Sequence, residues 1–314
     1  MAKALICKSA GDWQQVLELC NLDLPERPAP GMARVRMLAA AIHPSDFGMI
    51  AGSYGKAKIF PCVVGREGVG EVVAGPGLGD IVRIPEELGV WAEIIDCPVQ
   101  SLVKCPKDIA PEQLALSFIN PPTAWRILED FIALEPGEVV VTNAGKSAVS
   151  QALIWLAKGR GLKVHAVIRN KTPEDEAWLK GLGAEAVWDE TQAYFKEIKA
   201  ALALNQVGGE SVLKLIKALR DNGMCVTIGG AAKEAVRYPT RELIFKNVQL
   251  KGFWLDKWMR ENPAGGKEMM EQIWDLMRSG KLRQEVAGRY TLDQYREAFA
   301  KAGEARRGKV ILVG

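Results

Sequence analysis

Val139-Val140-Val141-Thr142-Asn143-Ala144-Gly145-Lys146-Ser147-Ala148-Val149-Ser150-Gln151 reads as a buried strand, a turn of small residues and the start of a helix. Small side chains let a backbone approach a pyrophosphate, whose charge the free N–H groups and dipole of a helix start stabilise. The strict Gly-x-Gly-x-x-Gly is absent, and the small residues fall instead at Ala144, Ser147 and Ser150. Taken alone, an ordinary strand-to-helix connection stays open.

The next strand, Lys163-Val164-His165-Ala166-Val167-Ile168, ends in Arg169, 22 residues after Ser147. A site selective for NAD places a carboxylate there for the ribose 2′-hydroxyl, whereas an Arg pairs with the 2′-phosphate of NADP. No carboxylate is present, so the expected cofactor is NADPH with Arg169 on its phosphate. A solvated loop around Arg169 and Lys171 is the plain alternative.

Further on, strands and helices alternate: helix 147–158, strand 163–168, helix 173–182, strand 201–204, helix 210–220, strand 224–228 and strand 248–253. That order predicts a doubly wound parallel sheet. Pro111 to Ile132 carries apolar residues at helical spacing. Residues before about 115 read as short strands punctuated by Gly and Pro, a largely β domain. After Trp254 come a helix near 264–279, a strand, a helix near 292–302 and a closing strand 309–313, which predicts that the chain's end folds back onto its start.

At 314 residues the chain has room for two domains. Hydrophobic residues at 48% and charged residues at 25% are the balance of a soluble globular protein. A net charge of +3, from 41 basic and 38 acidic residues, is too even to supply a nucleic-acid-binding face. No apolar run approaches a membrane span, and no signal-peptide pattern opens the sequence. The six dispersed cysteines lack a Cys-x-x-Cys pair, so reduced thiols in a cytoplasmic compartment are expected.

Together these segments resemble the medium-chain dehydrogenase/reductase superfamily, specifically its zinc-free branch of mitochondrial-type 2-enoyl thioester reductases. The resemblance rests on Pro44-Ser45-Asp46 followed by Ile50-x-Gly52-x-Tyr54-Gly55, on Asn120-Pro121-Pro122-Thr123-Ala124-Trp125-Arg126, on Leu202-Ala203-Leu204-Asn205-x-Val207-Gly208-Gly209, on Leu243-Ile244-Phe245-Lys246 and on Gly252-Phe253-Trp254-Leu255. It implies an α/β protein with a GroES-like, β-rich substrate domain over 1–119, completed by 258–314, and a Rossmann domain over 120–257. It also implies an active site in the cleft between them, and a homodimer built through the Rossmann sheets. The implied reaction sends a hydride to the β-carbon of an enoyl thioester, carried on coenzyme A or acyl carrier protein, and a proton to the α-carbon.

The family's proton donor falls on Tyr54, a phenol that stays protonated at neutral pH; without the resemblance, Tyr54 reads as one of five tyrosines packing a loop. Cofactor contacts are expected from Asn143, Ala144, Ser147, Ala148, Val149, Arg169, Asn205, Gly229, Gly230, Phe253 and Trp254, and the resemblance adds Lys309. His43, Ser45, Asp46 and Trp125 are candidates for the substrate cleft. The sequence departs from the family at His43, where relatives carry Asn, and at Ser150, where the phosphate turn usually ends in Gly.

Zinc dehydrogenases of this fold place Cys and a Gly-His-Glu run where this chain has Ser45-Asp46 and Gly65-Arg66-Glu67. A cationic Arg66 cannot ligate a cation, and the only histidines are His43 and His165, so no metal is expected. A quinone or enal reductase keeps the fold and cofactor and changes the substrate. A non-catalytic NADPH-binding protein is the third reading.

Overall fold

The structure, a computed structural model, describes residues 2–56, 58–236, 238–304 and 306–314, and every count below refers to these. The chain divides into two compact units, Met1–Phe118 with Gln284–Gly314, and Ile119–Arg283.

The first unit opens with β1 (Ala2–Cys7), α1 (Trp13–Val16), β2 (Leu17–Leu22), β3 (Met32–Ala41), α2 (Pro44–Ile50) and β4 (Cys62–Val63). It continues through β5 (Gly68–Ala74), β6 (Ile81–Arg83), β7 (Ile94–Pro98), β8 (Val103–Lys104) and α3 (Pro111–Leu114). The long β3 carries buried residues at alternate positions along Ala33, Val35, Met37 and Ala39, the period-2 signature of a strand with one face on a core.

The second unit runs α4 (Asn120–Glu129), β9 (Val139–Thr142), α5 (Ala148–Gly159), β10 (Lys163–Ile168), α6 (Pro173–Leu182), β11 (Ala186–Asp189) and β12 (Ala200–Asn205). It ends with α7 (Gly209–Ala218), β13 (Leu219–Thr227), α8 (Thr240–Phe245), β14 (Gln249–Gly252), α9 (Leu255–Glu261) and α10 (Pro263–Arg278). Its described strands form one sheet in the order β11-β10-β9-β12-β13-β14, with every pairing parallel. This is the doubly wound arrangement expected from the alternation. The order reverses between β9 and β12, and ligands of such sheets bind beyond the carboxyl ends of the strands at that reversal.

The chain then returns to the first unit with β15 (Val286–Tyr290), α11 (Tyr295–Gly303) and β16 (Lys309–Val313). β16 pairs antiparallel with β3, with Ile311 opposite Ala41 and Val313 opposite Ala39. The end does fold back onto the start, as the pattern predicted. Its helix delivers Phe299 into the core, where its ring centroid lies 5.0 Å from Trp13, 5.3 Å from Phe47 and 5.1 Å from Trp91.

Two boundaries differ from the sequence reading. The return comes at Gln284 and not at 258, because α9 and α10 are packed within the second unit: the Arg126 guanidinium of α4 lies 4.6 Å over the Trp258 ring, and Met269, Met270, Ile273 and Trp274 are buried. The apolar stretch 111–132 forms two helices, α3 and α4, rather than one. Pro121 and Pro122, in the first turn of α4, suit a fresh helix start.

Candidate functional site

In the second unit, β9 and β12 end side by side and their last residues are tied together by buried amides. Asn143 Nδ2 donates to Asn205 Oδ1 at 2.9 Å and to Ser211 Oγ at 3.1 Å, while Gln206 N donates to Asn143 Oδ1 at 2.7 Å. Asn205 Nδ2 reaches Thr227 Oγ1 at the end of β13, and Asn205 Oδ1 also accepts the N–H groups of Val207 and Gly208. The expected Asn143 and Asn205 are therefore braces that hold three strand ends in register.

The turn after β9 is tight. Ala144 takes φ 49°, a left-handed conformation uncommon outside glycine. Gly145 N donates to Val167 O at 2.9 Å, and a Cβ on Gly145 would stand 2.9 Å from Ala166 Cβ and 3.0 Å from Ile168 Cγ2. Only a bare backbone fits between turn and strand. Ser147 caps α5 by accepting the Ser150 N–H, which brings Ala148 and Val149 into the first turn.

Ser150, the departure from glycine, is fully buried. Its hydroxyl lies 3.0 Å from Thr142 Oγ1 and accepts from Gln206 Nε2 at 2.8 Å. Gln206 Oε1 in turn accepts from Ser147 Oγ at 2.9 Å. The extra hydroxyl is matched by a carboxamide, so the turn closes with serine there.

At the end of β10, Arg169 is exposed, and the following Asn170 takes φ 52°. Lys171 is engaged elsewhere, its ammonium donating to Glu176 Oε2 at 2.8 Å and to Val187 O at 3.1 Å. Gly229 and Gly230 follow β13; a Cβ at Gly229 would meet Gln206 O at 2.8 Å, whereas Gly230 faces open space. Phe253 N donates to Thr227 O, and its ring meets Phe131 edge-on at 5.7 Å. Trp254 precedes α9, with the Arg260 guanidinium 6.0 Å above its ring. Trp125 sits on α4 with Arg160 5.1 Å over its ring, a packing contact within this unit.

The first unit holds the other expected residues in two adjoining clusters. In one, Nε2 of His43 lies 2.6 Å from Glu67 Oε2 and Nδ1 lies 2.9 Å from Lys309 Nζ. An ammonium only donates, and a carboxylate only accepts, so the neutral imidazole carries its hydrogen on Nε2. Burial first, then the charges of Lys309, Arg66 and Arg306, hold His43 well below its ordinary pKa. Glu67 Oε1 accepts the Phe118 N–H at 2.6 Å. Burial brings Lys309 down to about 8. The expected Lys309 is thus buried in a Lys–His–Glu chain.

Asp46 is buried too, its Oδ2 accepting the His43 N–H at 2.7 Å across the first turn of α2. Desolvation pushes its carboxyl up to about 6 against the opposing pull of that hydrogen bond and of Arg66. It serves the helix start, whereas Ser45 and Tyr54 gather on one polar group.

That group is Arg66. Gly52, at φ 72°, turns the chain after α2 so that the N–H groups of Ser53 and Tyr54 both donate to Gly48 O. The Tyr54 ring is thereby set under Arg66, whose Cζ lies 4.7 Å from the ring centroid. Arg66 Nη1 donates to Tyr54 Oη at 3.0 Å and to Ser45 Oγ at 2.9 Å, and Nη2 lies 3.3 Å from Glu86 Oε2. Sequence reasoning weighed Arg66 only as a non-ligand, and missed Gln206, Glu67 and Glu86. Among the described residues, no three of His, Cys, Asp and Glu gather as metal ligands would.

Comparison with known proteins agrees with this architecture. Residues 29–107 match the alcohol dehydrogenase GroES-like domain family, and residues 182–312 match the family described as zinc-binding dehydrogenase. The chain is 38% identical to the human mitochondrial enoyl-[acyl-carrier-protein] reductase over 95% of its own length and 84% of that protein. Among solved structures, the 2-enoyl thioester reductase Etr1p in complex with NADP and crotonyl-CoA superposes with a TM-score of 0.91 at 26% identity, covering 100% of this chain and 99% of that one. A quinone oxidoreductase from Pseudomonas syringae superposes with a TM-score of 0.86 at 25% identity, covering 100% of both. The chain belongs to the medium-chain dehydrogenase/reductase superfamily, in the family of the mitochondrial-type enoyl-[acyl-carrier-protein] reductases.

Proposed function

We propose that this protein reduces the C=C bond of 2-enoyl thioesters with NADPH. The observation that carries the reading is the Tyr54 phenol held at 3.0 Å by Arg66, in a chain 38% identical to an enoyl reductase. The second unit supports the cofactor reading: β9 and β12 end at the reversal of strand order, α5 starts directly after the tight turn, and the exposed Arg169 at the end of β10 would pair with a 2′-phosphate. Ser147, Ala148 and Val149 would receive the pyrophosphate at the start of α5, with Asn143, Asn205, Gly229, Gly230, Phe253 and Trp254 beside it. NADPH supplies the hydride that adds to the β-carbon. Tyr54 then gives its proton to the α-carbon, the O–H bond breaking as the new C–H bond forms, and water restores the phenol. Lys309, which burial makes more acidic, is proposed to orient the reacting groups while hydrogen-bonded to His43 rather than to transfer a proton.

Measurement of NADPH oxidation with crotonyl thioester, a quinone and an enal tests the assignment. Turnover is expected with the thioester on coenzyme A or on acyl carrier protein. Activity confined to the quinone or enal would move the chain to the second reading, which the quinone oxidoreductase likeness favours, and no oxidation with any of them would reject catalysis.

Two further assignments belong to this proposal. β14 is the edge strand of its sheet and largely exposed, and Ile244 and Phe245 just before it are 64% and 73% exposed. Pairing of this edge with a second copy would cover it, and light scattering is expected to return a homodimer mass. No described helix is long and apolar enough to cross a membrane, and all six cysteines are unpaired. Cytoplasmic placement is proposed on that thiol state; the relatives are named mitochondrial, and cell fractionation decides.

A further inference from the structure

We propose that Arg66 is the positioning residue for the Tyr54 proton: it fixes the phenol oxygen and stabilises the phenolate left when the proton departs. The inference rests on reading Tyr54 as the donor. Its basis is geometric, because one buried guanidinium donates to Tyr54 Oη and Ser45 Oγ from the same nitrogen and also covers the face of the phenol ring. Arg66 is 2% exposed, so water screens its charge little, and a charge-assisted hydrogen bond is stronger than a neutral one. A guanidinium does not deprotonate in proteins, so it can donate to the phenol and to the phenolate alike while never competing for the proton.

The surrounding charges tune this pair. Glu86, on the turn after β6, faces Arg66 Nη2 and is ion-paired with Lys56. Lys58 donates to the Glu86 backbone oxygen at 2.9 Å. Asp46 and His43, at the start of α2, also feel the Arg66 charge. Because Glu86 shares its carboxylate between Arg66 and Lys56, part of the guanidinium charge is left to act on Tyr54.

Two measurements separate this inference from the reading beneath it. The first is an ultraviolet titration of Tyr54, isolated by subtracting the matching Tyr54→Phe protein from wild type, R66Q, R66K and E86Q. Removing the cation in R66Q should raise the phenol midpoint by about one unit or more, a ten-fold change in acidity. R66K should lie between, and E86Q, which leaves Arg66 in place, should lower the midpoint. The second is the pH profile of kcat on crotonyl thioester: R66Q should lose about ten-fold at neutral pH, its alkaline limb should move with the titration midpoint, and KM for NADPH should stay unchanged. An unmoved midpoint in both R66Q and E86Q overturns the role of Arg66, as does a kcat loss without movement of the limb. Should R66Q fail to fold, R66K and E86Q decide alone. Unchanged turnover in Tyr54→Phe would instead remove the donor reading, and the proposed role with it, even where the titration shift is seen.

Discussion

The Lys309 ammonium lies 2.9 Å from Nδ1 of His43, with both side chains buried. Because burial lowers Lys309 from 10.5 to about 8, the folded state binds fewer protons than the unfolded chain between those values. Stability therefore rises with pH across that window relative to a variant without the amine. Measured against K309M, which keeps the length of the side chain, wild type should gain stability as pH rises from 8 toward 10.5. Denaturant unfolding of both proteins over pH 7–10 checks this; a difference independent of pH would contradict it.

Tyr54→Phe keeps nearly all the ring's packing and removes its only donor. Substrate affinity should change little, and turnover should fall by roughly 10²-fold, near the lower end for general acid catalysis, since water partly substitutes. Stopped-flow absorbance should show cofactor oxidation running ahead of product protonation. Undiminished turnover would direct attention to Ser45, which shares Arg66 Nη1 with the phenol.

Arg169→Ala should cost about ten- to a hundred-fold in NADPH affinity, the range of a charge-assisted contact of roughly 1.5–3 kcal/mol. NADH binding should hardly change. Isothermal titration with both nucleotides discriminates, and an equal loss for the two would remove Arg169 from the 2′-phosphate.

Phe299 is fully buried among Trp13, Phe47 and Trp91. Phe299→Ala should destabilise the first unit by about 3–5 kcal/mol, combining lost transfer energy with a cavity. Thermal denaturation should reveal it. A loss below about 1 kcal/mol would mean that α11 is not anchored there.

Chelation should leave turnover intact, and elemental analysis of the purified protein should find no stoichiometric zinc. One zinc held per chain would contradict the assignment.

Much of the second unit was legible because helix and strand periods differ and alternate in order. The strand 163–168 and the helix 173–182 stand at the expected limits, the latter between a Thr172 cap and Gly183. What stayed hidden depends on neighbours far apart in sequence. Nothing in Gly65-Arg66-Glu67 says that the guanidinium meets a phenol twelve positions earlier, since that contact requires the Gly52 turn to fold Tyr54 back on α2. Gln206 was nearer to reach: it follows the strand that borders the reversal of strand order, where ligand-side residues concentrate. The contact of Asp46 with the His43 N–H was hidden as well, because an acidic residue three places into a helix start serves the backbone as readily as a substrate.

The pairing of β16 with β3 also sets a timetable. The second unit is a single uninterrupted segment, Ile119–Arg283, and every partner in its sheet has been synthesised once β14 emerges. The first unit is begun earlier and finished later, for the central strand β3 waits for Ile311 and its neighbours to fill the gap between it and β15. During synthesis the apolar face meant for Phe299 and β16 must therefore stand open while a whole further domain is made and folded. A nascent chain stalled before residue 284 should carry a finished nucleotide-binding unit beside a half-built partner, the form of this protein most in need of a chaperone.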